Sequence, residues 1–121
     1  MRYMLLIYTR ESDWTSLSDQ GRGELFGEYM AFTEQIRKSG HYVAGDGLEA
    51  TSTATTVRVR NGQTVSTDGP FAETREQLGG FYLVDVSDLD EAIGIAARIP
   101  PARKGTIEIR PVLEIPNLPT A

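Results

Sequence analysis

Residues 2–8, RYMLLIY, place apolar side chains at Tyr3, Leu5 and Ile7 and also at Met4, Leu6 and Tyr8, so that an extended chain here is apolar on both faces. A strand of this kind has to be covered twice. The segment GFYLVDV at 80–86 behaves in the same way except at Asp85, whereas TVRVR at 56–60 and TIEIR at 106–110 alternate apolar with polar. The fold must therefore hold two strands in the middle of a sheet with cover on both sides, and the alternating segments belong at edges or beside water.

Two amphipathic helices lie between the strands. In the first, Ser18 or Asp19 caps the N-terminus, Leu25, Tyr29, Phe32 and Ile36 share one stripe, and Arg37, Lys38 and Gly40 close the end. Gly21, Gly23 and Gly27 weaken this helix, which makes it dependent on docking. In the second, Ser87 and Asp90 form a capping-box-like pair, Leu89, Ala92, Ile93 and Ala96 make the buried stripe, and Pro100-Pro101 stops the helix. The order is strand, helix, strand, an inserted hairpin turning at Asn61-Gly62, strand, helix, strand. This is an α+β, ferredoxin-like βαββαβ plan with an inserted β-hairpin, in which the first and third core strands take the middle of the sheet. The helices cover one face only. The second face calls for a second copy, so the expected assembly is a homodimer with sheets back to back, a dimeric α+β barrel. Residues 1–115 read as a single domain and 116–121 as a proline-bearing C-terminal tail.

A chain of 121 residues can bury a workable core without a staple, and the absence of cysteine excludes disulfides, thiolate metal sites and a cysteine nucleophile. Twelve Lys and Arg against seventeen Asp and Glu give a formal charge of −5, which offers no positive field to a phosphate backbone, so direct nucleic-acid binding is not expected. The apolar run at the N-terminus is too short to span a bilayer and lacks a cleavage site, and the expected location is cytoplasmic, away from the membrane.

The candidate chemistry is sparse. His41 is the only histidine, and a metal centre built on nitrogen ligands needs more, so neither a metal nor another cofactor is expected. Gly45-Asp46-Gly47 reads first as an ordinary turn, with exposure of the carboxylate as its other reading. The turn Asp68-Gly69-Pro70-Phe71 is stiffer, because a glycine before proline is extended or in a glycine-only conformation, and Asp68 stands at its lip. Phe71 can then enter the core, while Glu73, Arg75 and Glu76 pass the same place. Two readings of Asp68 stand side by side: an anionic anchor or base in a site, and an Asx-type turn residue that accepts backbone N–H groups. Tyr29 and Tyr8 bring hydroxyls either to a pocket or to the surface. Trp14, in a polar loop, reads as a pocket lid or a dimer contact.

The run TDGPFAETREQLGGFYLVDVSDLDEA, with ATTVRVRNG before it and GTIEIRPV after it, resembles the DGPF branch of the YCII-related proteins over nearly the whole chain. The resemblance implies a dimeric ferredoxin-like α+β barrel. The smaller YCII-like members carry a histidine on the first helix and an aspartate in the loop before the third core strand, proposed as an acid–base pair in a cleft. Asp68 matches that aspartate, and Tyr29 falls at the histidine position to within about a residue. The pair here is then a carboxylate and a phenol whose ordinary pKa is about 10. The first reading is an accessory or regulatory dimer that binds a small molecule in a pocket between the sheet and the first helix, near Asp68, Phe71, Glu73, Arg75, Tyr8 and Trp14, and the resemblance implies an indirect link to sigma-factor-dependent transcription. The alternatives are a cofactor-free enzyme of hydrolase, isomerase or monooxygenase type using Asp68 as base and Tyr29 as donor, and a protein-interaction module that exposes the hairpin.

Overall fold

The computed structural model describes residues 1–116, so residues 117–121 of the expected tail lie outside the described residues. The elements follow in the order β1 (Arg2–Thr9), α1 (Glu11–Thr15), α2 (Asp19–Lys38), β2 (Tyr42–Gly47), β3 (Thr55–Arg60), β4 (Gln63–Asp68), β5 (Gln77–Asp85), α3 (Leu89–Ala97) and β6 (Thr106–Pro111). Four strands make one antiparallel sheet in the order β2-β5-β1-β6, with the two doubly apolar strands in the middle. This is the ferredoxin-like arrangement.

Strand alternation sorts the side chains. Tyr3, Leu5 and Ile7 of β1 and Tyr82 and Val84 of β5 are buried with Phe32 and Ile36 of α2 and with Ala92, Ile95 and Ala96 of α3. Cross-strand pairs hold the register, Leu5 standing opposite Tyr82 on one side and Ile109 on the other. Met4, Leu6 and Tyr8 fall on the opposite face with Phe81 and Leu83, and there they stay half-exposed, outside the core cluster. Glycines let the backbones close up: a Cβ on Gly45 would come to 2.7 Å from the Tyr82 ring, and one on Gly80 to 2.9 Å from the carbonyl oxygen of Asp46.

Helix ends follow their local chemistry. The Ser18 hydroxyl accepts from the Gly21 N–H at 3.0 Å at the start of α2. At its end Gly40 takes φ 81°, the Gly40 N–H donates to the Arg37 carbonyl and the His41 N–H to the Ile36 carbonyl, a Schellman closure. The cap of α3 differs by one residue from the expected pair. Asp88, not Ser87, caps by accepting from the Glu91 N–H at 2.9 Å, and Glu91 reaches back to the Ser87 N–H at 3.0 Å. That phase turns Ile95 inward and leaves Leu89 and Ile93 exposed, correcting the expected stripe at two positions while Ala92 and Ala96 remain buried.

The inserted hairpin forms a two-stranded sheet of its own, turning through Asn61 (φ 52°) and Gly62 (φ 75°), both left-handed as a type I′ turn requires. Val57, Val59 and Val65 on it are exposed. Gly45-Asp46-Gly47 ends β2, with Asp46 paired to Phe81, and is strand where a turn is expected. Phe71 is not in the core of the chain, being 82% exposed. Residues 11–15, expected as loop, form the short helix α1, and tertiary contacts described below hold this polar turn where propensity alone would not.

Candidate functional site

The two halves of α2 meet the sheet differently. Phe32 and Ile36 in the C-terminal half are buried on β1 and β5, whereas Tyr29 and Leu25, about one and two turns earlier, are half-buried. Beneath them lies a cleft of about 1300 Å³, floored by Ile7 and Thr9 of β1 and by the start of β5, and walled by Tyr42, Tyr82 and Trp14. Apolar and aromatic walls with a few polar groups are the ordinary character of a small-molecule site.

A hydroxyl relay fixes the inner wall. Thr33 Oγ1 donates to the Tyr29 carbonyl at 2.8 Å, so the 2.8 Å contact between Thr33 Oγ1 and the Tyr82 hydroxyl has Tyr82 as donor. The Tyr82 ring stands edge-on to Phe32 at 5.1 Å and to Tyr42 at 6.4 Å. Burial pushes the Tyr82 phenol above its ordinary pKa. Burial also pushes the Tyr29 phenol well up, with Tyr82 adding to it. Among the described residues the Tyr29 hydroxyl has no hydrogen-bond partner, so it faces the cleft as a neutral phenol able to donate.

Helix α1 closes one end and is pinned on both sides. Glu11 Oε1 accepts from the Thr51 N–H at 2.8 Å, which ties α1 to the 3₁₀ turn Thr51–Thr53 after β2 and holds the Glu11 carboxyl below the usual range. The Arg22 guanidinium donates to the carbonyls of Trp14 at 3.2 Å and Thr15 at 3.1 Å, and its carbon lies 5.4 Å from the centroid of the Trp14 ring. Trp14 is thereby held at the rim of the cleft.

Of the residues singled out from the sequence, Tyr29, Trp14 and Asp46 line this cleft, while Asp68, Phe71, Glu73, Arg75 and Tyr8 do not. Asp68 ends β4 opposite Thr55, exposed, and its carboxylate accepts no hydrogen bond among the described residues. Backbone contacts close that turn instead: the Gly69 N–H donates to the Ala54 carbonyl at 2.7 Å, Thr56 Oγ1 donates to the Gly69 carbonyl at 2.7 Å, and Gly69 adopts φ 100°. Glu73 and Arg75 are exposed beside it, and Tyr8 lies on the sheet face away from the helices. Thr33, Tyr82, Tyr42 and Asp13 are cleft residues that sequence reasoning did not single out, since tertiary proximity joins them and no short motif does.

One other constellation looks catalytic on paper. Ser39 Oγ lies 2.8 Å from His41 Nδ1, and His41 Nε2 lies 3.3 Å from Glu91 Oε1, a hydroxyl, an imidazole and a carboxylate in series. Neither neighbouring amide is free to stabilise an oxyanion, because the Ser39 N–H donates to Gln35 and the Gly40 N–H to Arg37. The series joins the end of α2 to the start of α3, and we assign it that structural role. A smaller hollow of about 260 Å³ between α2 and residues 97–103 is bounded by the Glu28–Arg103 ion pair. Among the described residues no cluster of His, Asp and Glu could hold a metal ion, and no helix is long and apolar enough to cross a membrane.

A ferredoxin-like α+β sheet with a cleft under its first long helix defines the class of protein. The chain belongs to the YCII-related family, whose YCII-related domain model matches residues 1–116. It is also similar to an uncharacterized protein of Rhizobium meliloti (strain 1021), 36% identical over 114 residues that cover 93% of this chain and 92% of the relative.

Proposed function

We propose that this protein is a homodimer that binds a small, largely apolar molecule in the cleft beneath the N-terminal half of α2, in an accessory or regulatory role. The observation that carries the reading is the cleft itself, about 1300 Å³ and bounded by Trp14, Leu25, Tyr29, Tyr42 and Tyr82. The half-exposed Met4, Leu6, Tyr8, Phe81 and Leu83 supply the face on which a second sheet would lie. The indirect link to sigma-factor-dependent transcription implied by the DGPF run is the setting in which such a ligand-responsive dimer would act. Binding is favoured over catalysis because Asp68, the expected base, stands outside the cleft, so the expected Asp68–Tyr29 pair does not meet there. The test is a thermal-shift screen of metabolites, with calorimetry of each hit on Tyr29→Phe and on Leu25→Trp, which fills the cleft. A hit should lose at least about tenfold in affinity on Leu25→Trp. Hits that bind Leu25→Trp as tightly as wild type would remove the cleft as the site.

A further inference from the structure

The polar groups of the cleft bear on the charge of its occupant, a step that rests on the small-molecule reading. Because Thr33 gives its proton to the Tyr29 carbonyl and Tyr82 gives its own to Thr33, the Tyr82 oxygen at the cleft wall is left as an acceptor only. Asp13 lines the cleft half-buried, next to Trp14, and its carboxylate makes no hydrogen bond or ion pair among the described residues. The cleft is bordered by six carboxylate residues and three cationic ones. Two of the cations are engaged: the Arg37 guanidinium lies over the Tyr42 ring at 4.7 Å from its centroid, and Arg103 is held by Glu28 and the Pro100 carbonyl. The rings of Trp14 and Tyr42 therefore already accept guanidinium groups on their faces. A carboxylate ligand would find the Tyr29 hydroxyl and Lys104 but an excess of like charge, whereas an ammonium would find the Tyr82 oxygen and the unpaired Asp13 carboxylate.

We propose that the cleft takes a primary amine carried on an apolar or aromatic body, with the ammonium at Asp13 and the body against Leu25, Tyr29 and Tyr82. Trp14 is the single tryptophan and reports directly on the site. Its fluorescence is followed while the dimer or monomer, as it exists in dilute buffer, is titrated separately with 2-phenylethylamine, 2-phenylethanol and 3-phenylpropionate, which share a phenyl body and differ in charge. Calorimetry is run alongside. The amine should bind at least about tenfold tighter than the alcohol, the carboxylate weakest, and added salt should erode the advantage of the amine. Asp13→Asn should abolish that advantage while leaving the alcohol within about twofold of its wild-type affinity, a control that also reports the fold intact. An amine that binds no tighter than the alcohol, or a carboxylate that binds tightest, would overturn the charge assignment and leave the small-molecule reading standing. Silence from all three probes by both methods would overturn both.

Discussion

Helix α2 lies on one sheet, yet its two halves do opposite things. The C-terminal half places Phe32 and Ile36 into a sealed core and ends in a Schellman closure. The N-terminal half carries Gly21, Gly23 and Gly27, turns Leu25 and Tyr29 over a cleft, and leans on α1 through Arg22. The difference teaches where this fold invests its packing. The half that closes on the sheet supplies stability, and the half that does not leaves the cleft open.

The sharpest way to break that comparison is to truncate one residue from each half. Ile36 is fully buried, and Ile36→Ala should cost about 2–5 kcal/mol through lost transfer energy and a residual cavity. Leu25→Ala, at the rim of an existing cleft, should cost less than half as much. Urea denaturation of both variants decides it, and equal losses would mean that the cleft is closed in solution.

A smaller effect separates the halves by pH. Burial raises the Tyr29 phenol in the folded chain, so the folded state holds its proton more tightly than the unfolded one does. Its contribution is intact below the ordinary phenol value of about 10 and is lost as pH rises beyond it. Tyr82 is shifted in the same direction and contributes to the same alkaline loss. Tyr29→Phe should therefore flatten, without abolishing, the fall in stability between about pH 9 and 11. Denaturation at both pH values measures the slope, and an unchanged slope would place the Tyr29 hydroxyl in bulk-like water.

Smaller again is the effect of the glycines. Nothing lies within 4 Å of a Cβ built on Gly23 or Gly27, and both sit inside a helix without positive φ. Gly23→Ala should stabilise the protein by about 0.5–1 kcal/mol, chiefly through the unfolded chain and helix propensity. If the looseness of this half serves binding, the gain in melting temperature will come with a change in ligand affinity. Affinity that stays constant would make the glycines mere tolerance.

The fold was legible because its signals are local or periodic. Two doubly apolar strands, an Asn-Gly turn, a Ser cap and a Gly40 stop each act over a few residues, and each appears where expected. Errors arose where phase depended on one residue or on distant contacts. Asp88 outcompeted Ser87 for the α3 cap and rotated the buried stripe, and α1 exists because Thr51 and Arg22 hold a sequence too short and polar to be helical alone. The site was legible in part. Tyr29 and Trp14 were singled out for their chemistry and do line the cleft, but the relay through Thr33 and Tyr82 spans 49 positions in sequence and leaves no motif. The DGPF run is stiff, because Gly69 precedes Pro70. In the chain itself that stiffness ends a hairpin, and Phe71 after it points into solvent.

The last and smallest expected effect separates the cleft from that turn. Asp68 is exposed and its carboxylate is unbonded among the described residues, so Asp68→Asn removes a charge from the surface while keeping the shape of the side chain. Stability should change by less than about 0.5 kcal/mol, as for surface substitutions away from caps and the core. Affinity for a cleft ligand should hold within about twofold, because Asp68 does not border the cleft. The comparison variant is Asp13→Asn, equally conservative in shape but half-buried at the cleft beside Trp14. If calorimetry instead finds Asp13→Asn neutral and Asp68→Asn about tenfold weaker with its melting point unchanged, ligand recognition belongs to the DGPF turn, and the open half of α2 is loosely packed for a reason other than binding.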